Sequence, residues 1–247
     1  LLNNVYICET EKKMAVTTKK EIMNTEWYFQ TPIYSIMKTD WLNNAIKATD
    51  KFIDASYERA KDDLKKRKKF LGNKDYLQVR DHGMSYHSTP LNGDPGLKEL
   101  EQYVGATSLN LMNEWGYDME KYTMFYTEFW VQEFSKNGGG HHSTHVHWDN
   151  HISGFYFLKC SDKTSYPVMH DPRAGAMMTK LPQKEMSKVS PMSDKIHYKP
   201  KPGMLVFFPG YVPHEFAVDD GVDDFRFIHF NLQAVRNDIL NSAKGKI

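Results

Sequence analysis

Cysteine is nearly missing: only Cys8 and Cys160 occur in 247 residues. Two thiols build neither a disulfide framework nor a four-cysteine zinc site, and such scarcity fits a reducing compartment. An excess of one charge is missing too. With 32 Lys and Arg against 31 Asp and Glu, the formal net charge is +1, so no global field draws the chain to nucleic acid or an anionic membrane. No apolar run reaches the roughly 20 residues of a membrane span, and the first residues lack the hydrophobic stretch of a signal peptide. These absences predict a cytoplasmic chain without a membrane partner. A phosphate loop is excluded as well. GGG at 138–140 leads into histidines and a strand, where such a loop needs a helix.

What is present is enough apolar residue, 40% of the chain, for one sizeable core. Residues 1–20, polar and opening on Leu, read as a flexible N-terminal arm or upstream translation. Residues 21–247 read as a single domain. Its helical support spans 40–116 in two blocks. Asp40 is placed to cap the first, whose apolar positions Leu42, Ile46, Ile53, Tyr57, Ala60 and Leu64 recur at helical steps before Gly72. Its later part, KDDLKKRKK (61–69), reads as a solvated face, since no aromatics alternate with the lysines. Asp94 and Pro95 open the second block, with Leu97, Leu100, Val104, Leu111 and Trp115 on its apolar face and Gly116 as its stop.

After Gly116 the pattern turns to strands: YTMFYTEFWVQEF (122–134), SGFYFLKC (153–160), GMLVFFPG (203–210) and FRFIHFNLQAV (225–235). A long polar, Pro- and Met-containing stretch over 159–203 reads as a candidate lid. Two helices followed by many strands predict a mainly β sandwich or barrel, core 121–235, with flanking helices.

Histidine is concentrated where the strands begin. HHSTHVHWDNH puts His141, His142, His145, His147 and His151 into eleven consecutive positions. Imidazoles bind metals and move protons, and each buried ring nitrogen needs a partner. Side chains two apart on a strand share a face, so His145 and His147 point together, and Asp149 joins them if the strand continues or turns tightly. Far downstream, FPGYVPHEF sets His214 in the turn after a strand. Two histidines and a carboxylate on one face of an iron(II) ion leave coordination positions open, the geometry of non-haem oxygenases. Arg226, on an apolar strand, needs an anionic partner. A structural ion pair is its competing reading.

HVHWDNHISGFYFL, HDPR, PKPGMLVFFPGYVPHEF and FRFIHFN together resemble the iron(II)- and 2-oxoglutarate-dependent oxygenases, and more narrowly a group of them found in bacteria and cyanobacterial viruses. The likeness covers roughly 122–235, and WYFQTPIYSI (27–36) resembles that group's entry segment. It implies a double-stranded β-helix, a distorted jelly roll of cupin-like shape. It also implies iron(II), dioxygen and 2-oxoglutarate, whose decarboxylation drives hydroxylation of an organic or peptidyl substrate. Carried over, His147, Asp149 and His214 match the metal ligands. Arg226 matches the anchor for the far carboxylate of 2-oxoglutarate, and Tyr156 a hydrogen-bond donor to it. Two departures stand out. Ile228 occupies a place where many of these enzymes carry Ser or Thr. The narrower group also stresses His-x-His, which makes His145 with His147 the alternative pair in a three-histidine site. The carboxylate register is preferred because one carboxylate balances a dianionic cosubstrate on iron.

The remaining candidates carry blander expectations. His141, His142 and His151 are supporting or solvated, and His229, opposite in strand parity to Arg226, is a core or outer-face residue. Trp130 and Gln132 share a face and line the pocket mouth. A substrate role for Arg173 competes with a simple turn, while His82 and His87 carry no readable context. Two rival functions stand beside the oxygenase. A cupin-type metal enzyme would not use 2-oxoglutarate. A non-catalytic jelly roll stabilised by metal would resist chelation, since its folding and metal binding are coupled.

Overall fold

The computed structural model describes residues 28–71, 85–173, 175, 181–182, 184–185 and 187–244. After β1 (Tyr34–Met37), a single 3-10 turn over Thr39–Trp41 leads into α1 (Leu42–Leu71). Asp40, expected as the cap of α1, lies inside that turn, whose own N-cap is Lys38. Ala45, Thr49, Ile53 and Ser56 of α1 are buried on one stripe, as helical spacing dictates. β2 (Ser85–His87) follows. The Asp94 carboxylate then accepts the Gly96 N–H at 2.9 Å, capping the turn before α2 (Lys98–Glu114), which buries Leu100, Val104, Leu111 and Met112. The expected stop at Gly72, the arm over 1–20, Cys8 and His82 lie outside the described residues.

The strands are β3 (Tyr122–Phe134), β4 (His142–His145), β5 (Ile152–Lys159), β6 (Pro167–His170), β7 (Lys195–His197), β8 (Met204–Pro209), β9 (His214–Phe216) and β10 (Arg226–Arg236). α3 (Asn237–Lys244) follows them. Two antiparallel sheets result, with six strands in the order β1-β8-β5-β10-β3-β2 and four in the order β4-β9-β6-β7. With helices flanking them, this is the double-stranded β-helix. The candidate lid over 159–203 is in part sheet, since β6 and β7 fall inside it. At four and three residues those strands are too short to carry a readable alternation.

Alternation in the six-stranded sheet separates two cores. Ile152, Tyr156 and Leu158 of β5, Leu205 and Phe207 of β8, and Ile228, Phe230 and Leu232 of β10 pack with residues of α1 and α2. The residues between them, Phe155, Phe157, Val206, Phe208, Phe225 and Phe227, pack instead with Phe216 and Met169 of the four-stranded sheet. Gly154 serves the first core: a Cβ there would stand 2.2 Å from the Phe230 ring and from the Val206 carbonyl. Arg226, Ile228 and Phe230 therefore look toward the helices, while Phe227, His229 and Asn231 look between the sheets.

Candidate metal centre

β4 ends at His145, and the chain leaves the sheet before His147. Trp148 and Asp149 then form a turn in which Asp149 takes a left-handed backbone, φ 60°. This turn is pinned to the one after β8: the His147 N–H donates to the Gly210 carbonyl at 3.0 Å, and the Gly210 N–H to the His151 carbonyl at 3.0 Å. Gly210 must lack a side chain here, because a Cβ would sit 2.3 Å from the Asn150 carbonyl oxygen. His145 lies directly opposite His214 in the β4–β9 register. As a result three imidazoles converge. One ring nitrogen each from His145, His147 and His214 lies within 4.8 Å of the others, and Nε2 of His147 is 3.3 Å from Nε2 of His214.

Hydrogen bonding prepares two of the rings as ligands. Nδ1 of His145 lies 2.7 Å from the Ser143 carbonyl, and Nδ1 of His214 lies 3.0 Å from the Val212 carbonyl. A carbonyl only accepts, so the proton of each neutral ring sits on Nδ1 and Nε2 keeps its lone pair. Burial first, then the neighbouring imidazoles, pushes His147 down to about 2. Burial likewise takes His214 down to about 3. His147 and His214 are therefore neutral at ordinary pH, as metal ligation requires.

A second set, Glu128, His147 and His229, also converges within 4.8 Å. Its centre is already taken by Asn231, whose Nδ2 lies 2.7 Å from Glu128 Oε2 and 2.8 Å from His147 Nδ1. His229, wholly buried, stacks on His147 with ring centres 4.7 Å apart. Its Nε2 lies 3.3 Å from Glu128 Oε2 without hydrogen-bond geometry, so neither ring nitrogen is satisfied by a described residue. Burial lowers its pKa despite the carboxylate. Deeper in, His142 Nε2 meets Gln132 Oε1 at 2.8 Å, leaving Gln132 Nε2 buried and unpartnered. His142, desolvated and near other histidines, falls to about 4.

Three residues carried over from the resemblance stand elsewhere. Asp149 is exposed on its turn and is not among the groups that converge. The strand ends two residues before His147, so parity no longer aims Asp149 with it. Arg226 faces α1, where its Nε lies 2.6 Å from Glu133 Oε2 and its Nη1 2.6 Å from Asp50 Oδ1. Burial opposes the charge, but the two carboxylates outweigh it and raise its pKa. Tyr156 shares that outer face and donates its hydroxyl to the Lys38 carbonyl at 2.6 Å. Among the lesser candidates, Arg173 is exposed and paired with Asp171. His141 bonds the Gly139 carbonyl, and His151 Nδ1 accepts the Ala234 N–H. Gln132 is wholly buried instead of lining a mouth, and His87 packs tilted against Trp130 with ring centres 3.8 Å apart. Sequence reasoning missed Asn231 and the placement of His229. The available signal was parity: 227, 229 and 231 alternate with 226, so one aromatic strand carries two chemistries on two faces.

Residues 128–231 match the model of a family described as "Putative 2OG-Fe(II) oxygenase". Over that stretch the resemblance to iron(II)/2-oxoglutarate oxygenases holds. No curated protein matches the chain. Solved structures similar to it include AviO1 from Streptomyces viridochromogenes Tue57, at 12% identity over 82% of this chain and 90% of that one, TM-score 0.49. A prolyl hydroxylase from Trichoplax adhaerens, solved with a hypoxia inducible factor peptide fragment, is similar at 11% identity over 81% and 83%, TM-score 0.48. The chain spans 65% of the length of an oxidoreductase of the 2OG-Fe(II) oxygenase family from Burkholderia pseudomallei, which covers 63% of this chain at 14% identity and TM-score 0.39.

Proposed function

We propose that the chain is a non-haem iron(II) oxygenase that uses 2-oxoglutarate and hydroxylates an organic or peptidyl substrate. The observation that carries this reading is the convergence of His145, His147 and His214, all inside the stretch that matches the family. Three imidazoles on one side of an ion leave its other positions to dioxygen and cosubstrate. Iron(II), when bound, supplies the activation of dioxygen. The chain's own part is to present lone pairs and keep water out. His145 and His214 present Nε2 because carbonyls hold their Nδ1 protons. Phe155 and Phe208, with ring centres 5.7 and 5.0 Å from that of His214, form a dry wall behind it.

The donor set fits iron well and 2-oxoglutarate in part. A chelating carboxylate and keto oxygen need only open positions on the metal. The far carboxylate needs donors, and Arg226, the only buried Lys or Arg among the described residues, is engaged on the other face. Gln132 Nε2 is the buried, unsatisfied donor that remains beside the histidines. These facts favour a second reading, a metal-dependent enzyme of the cupin-like barrel that does not use 2-oxoglutarate.

Anaerobic titration separates the two. Under the first reading, iron(II) followed by 2-oxoglutarate gives a visible charge-transfer band, and admitting oxygen with substrate yields succinate. Iron binding with neither band nor succinate at any 2-oxoglutarate concentration rejects the first reading and leaves the second.

A further inference from the structure

The polar groups that hydrogen-bond around His147 together fix where its proton lies. The two hydrogens of the Asn231 amide go to Glu128 Oε2, at 2.7 Å, and to His147 Nδ1, at 2.8 Å. Asn231 Oδ1 accepts the Ser153 hydroxyl at 2.5 Å. The reverse orientation of the amide would set Oδ1 against the Glu128 carboxylate, two acceptors with no proton between them. Nδ1 of His147 is therefore an acceptor, and the single proton of the neutral ring sits on Nε2. That nitrogen lies 3.3 Å from His214 Nε2, which keeps its lone pair because the Val212 carbonyl holds the proton on Nδ1. The two Nε2 atoms are thus joined by an Nε2–H···Nε2 bond, and its proton lies in the direction a shared metal would take.

We infer that Asn231 is the positioning residue of this site and that its amide turns over when a metal enters. The inference rests on the three-histidine reading above. A ligating imidazole gives its lone pair to the ion and its other N–H to an acceptor. His147 keeps one proton throughout: it leaves Nε2 and is held at Nδ1. Asn231 must then offer Oδ1 where it now offers Nδ2, and its Nδ2 turns to the Ser153 oxygen, which can accept. Glu128 loses the Asn231 donor in this exchange. His229 Nε2, already 3.3 Å away though outside good hydrogen-bond geometry, can close on it. That move would satisfy His229 Nε2, one of two buried ring nitrogens of this residue without a hydrogen bond, a costly condition in a native interior. Glu128 is 46% exposed in its side chain and free to make that small move.

The test uses the full chain with 15N-labelled histidine, compared by NMR without metal and with zinc(II), a redox-silent probe of the same ligands. Pyridine-type and pyrrole-type ring nitrogens have well-separated shifts, so the tautomer is read directly. The metal-free chain should show His147 with pyridine-type Nδ1, and zinc should convert that nitrogen to the pyrrole type. His145 and His214 should keep their Nδ1 protons in both states. In Asn231→Leu, His147 should populate both tautomers, and zinc affinity should fall about 10- to 100-fold, the effect of losing a ligand's outer partner. Asn231→Gln, which restores an amide, should recover part of that loss. A metal-free His147 already protonated at Nδ1 would overturn the inference, as would Asn231→Leu with unchanged tautomer and affinity. Zinc that leaves all three histidine rings unperturbed would instead overturn the metal-centre reading itself.

Discussion

On one face of β10, Arg226 is closed between Glu133 and Asp50 while Ile228 and Phe230 pack under the helices. On the other face, His229 and Asn231 stand behind the histidine cluster with polar groups tied to His147 or left unsatisfied. One strand thus carries a satisfied charge outward and an incompletely satisfied polar group inward. The difference teaches where to look for chemistry. A buried cation with two carboxylates is finished business, whereas buried donors without partners await a ligand or a change of state.

Removing a proposed ligand should produce the largest separation between the faces. His147→Ala or His214→Ala should weaken zinc(II) or manganese(II) binding by more than about 100-fold, beyond the 10–100-fold typical of losing an outer partner, measured by competition with a chromophoric chelator. The folded fraction without metal should change far less.

Arg226→Ala should do the reverse. Glu133, 3% exposed, would keep only Lys159 Nζ at 3.7 Å and the Tyr57 hydroxyl at 3.1 Å, so the change should cost up to about 3 kcal/mol in denaturant unfolding, with metal affinity nearly unchanged. Replacing the pair by Arg226→Met with Glu133→Leu should cost less than the single change, because no buried carboxylate is left underpaired and Lys159 keeps Asp224 at 3.2 Å. Loss of 2-oxoglutarate binding in an otherwise folded Arg226→Met/Glu133→Leu chain would show that the outward face takes part in the chemistry after all.

Acid should act mainly through the inward side. His147, His214 and His142 sit at about 2, 3 and 4, below the ordinary value of 6.5. Between those values and 6.5 the unfolded chain binds protons that the folded one refuses, so stability falls as pH drops below about 6.5 and keeps falling toward each folded value. Each such histidine contributes a slope of at most about 1.4 kcal/mol per pH unit. Unfolding of the metal-free chain measured from pH 7 to pH 5 should show this decline, and His142→Phe, which removes one of the three, should flatten it.

Much of this was legible before any coordinates. Long, strongly patterned strands such as 122–134 and the aromatic run at 153–160 declare themselves, and so does the pairing of an early histidine cluster with His214 after a Gly-to-Pro strand. Two features escaped for physical reasons. His-x-Asp implies a shared face only while a strand lasts, and β4 stops at His145, which sends Asp149 onto an exposed turn. Arginine in an apolar strand needs an anion, but nothing in the sequence says whether that anion is a ligand or Glu133 one strand away. Parity against His229 held the answer, once it was known which face the histidines take.

The choice between Asp149 and His145 is the sharpest remaining contrast. Metal binding by Asp149→Asn and His145→Gln, measured side by side with manganese(II) by electron paramagnetic resonance, tests it most directly. The left-handed turn tolerates Asn, so Asp149→Asn should bind one ion with affinity within about twofold of the parent, since an exposed charge off the site contributes little, while His145→Gln should bind none in the same range. The opposite pattern, binding lost with Asp149 and kept without His145, would contradict the three-histidine centre.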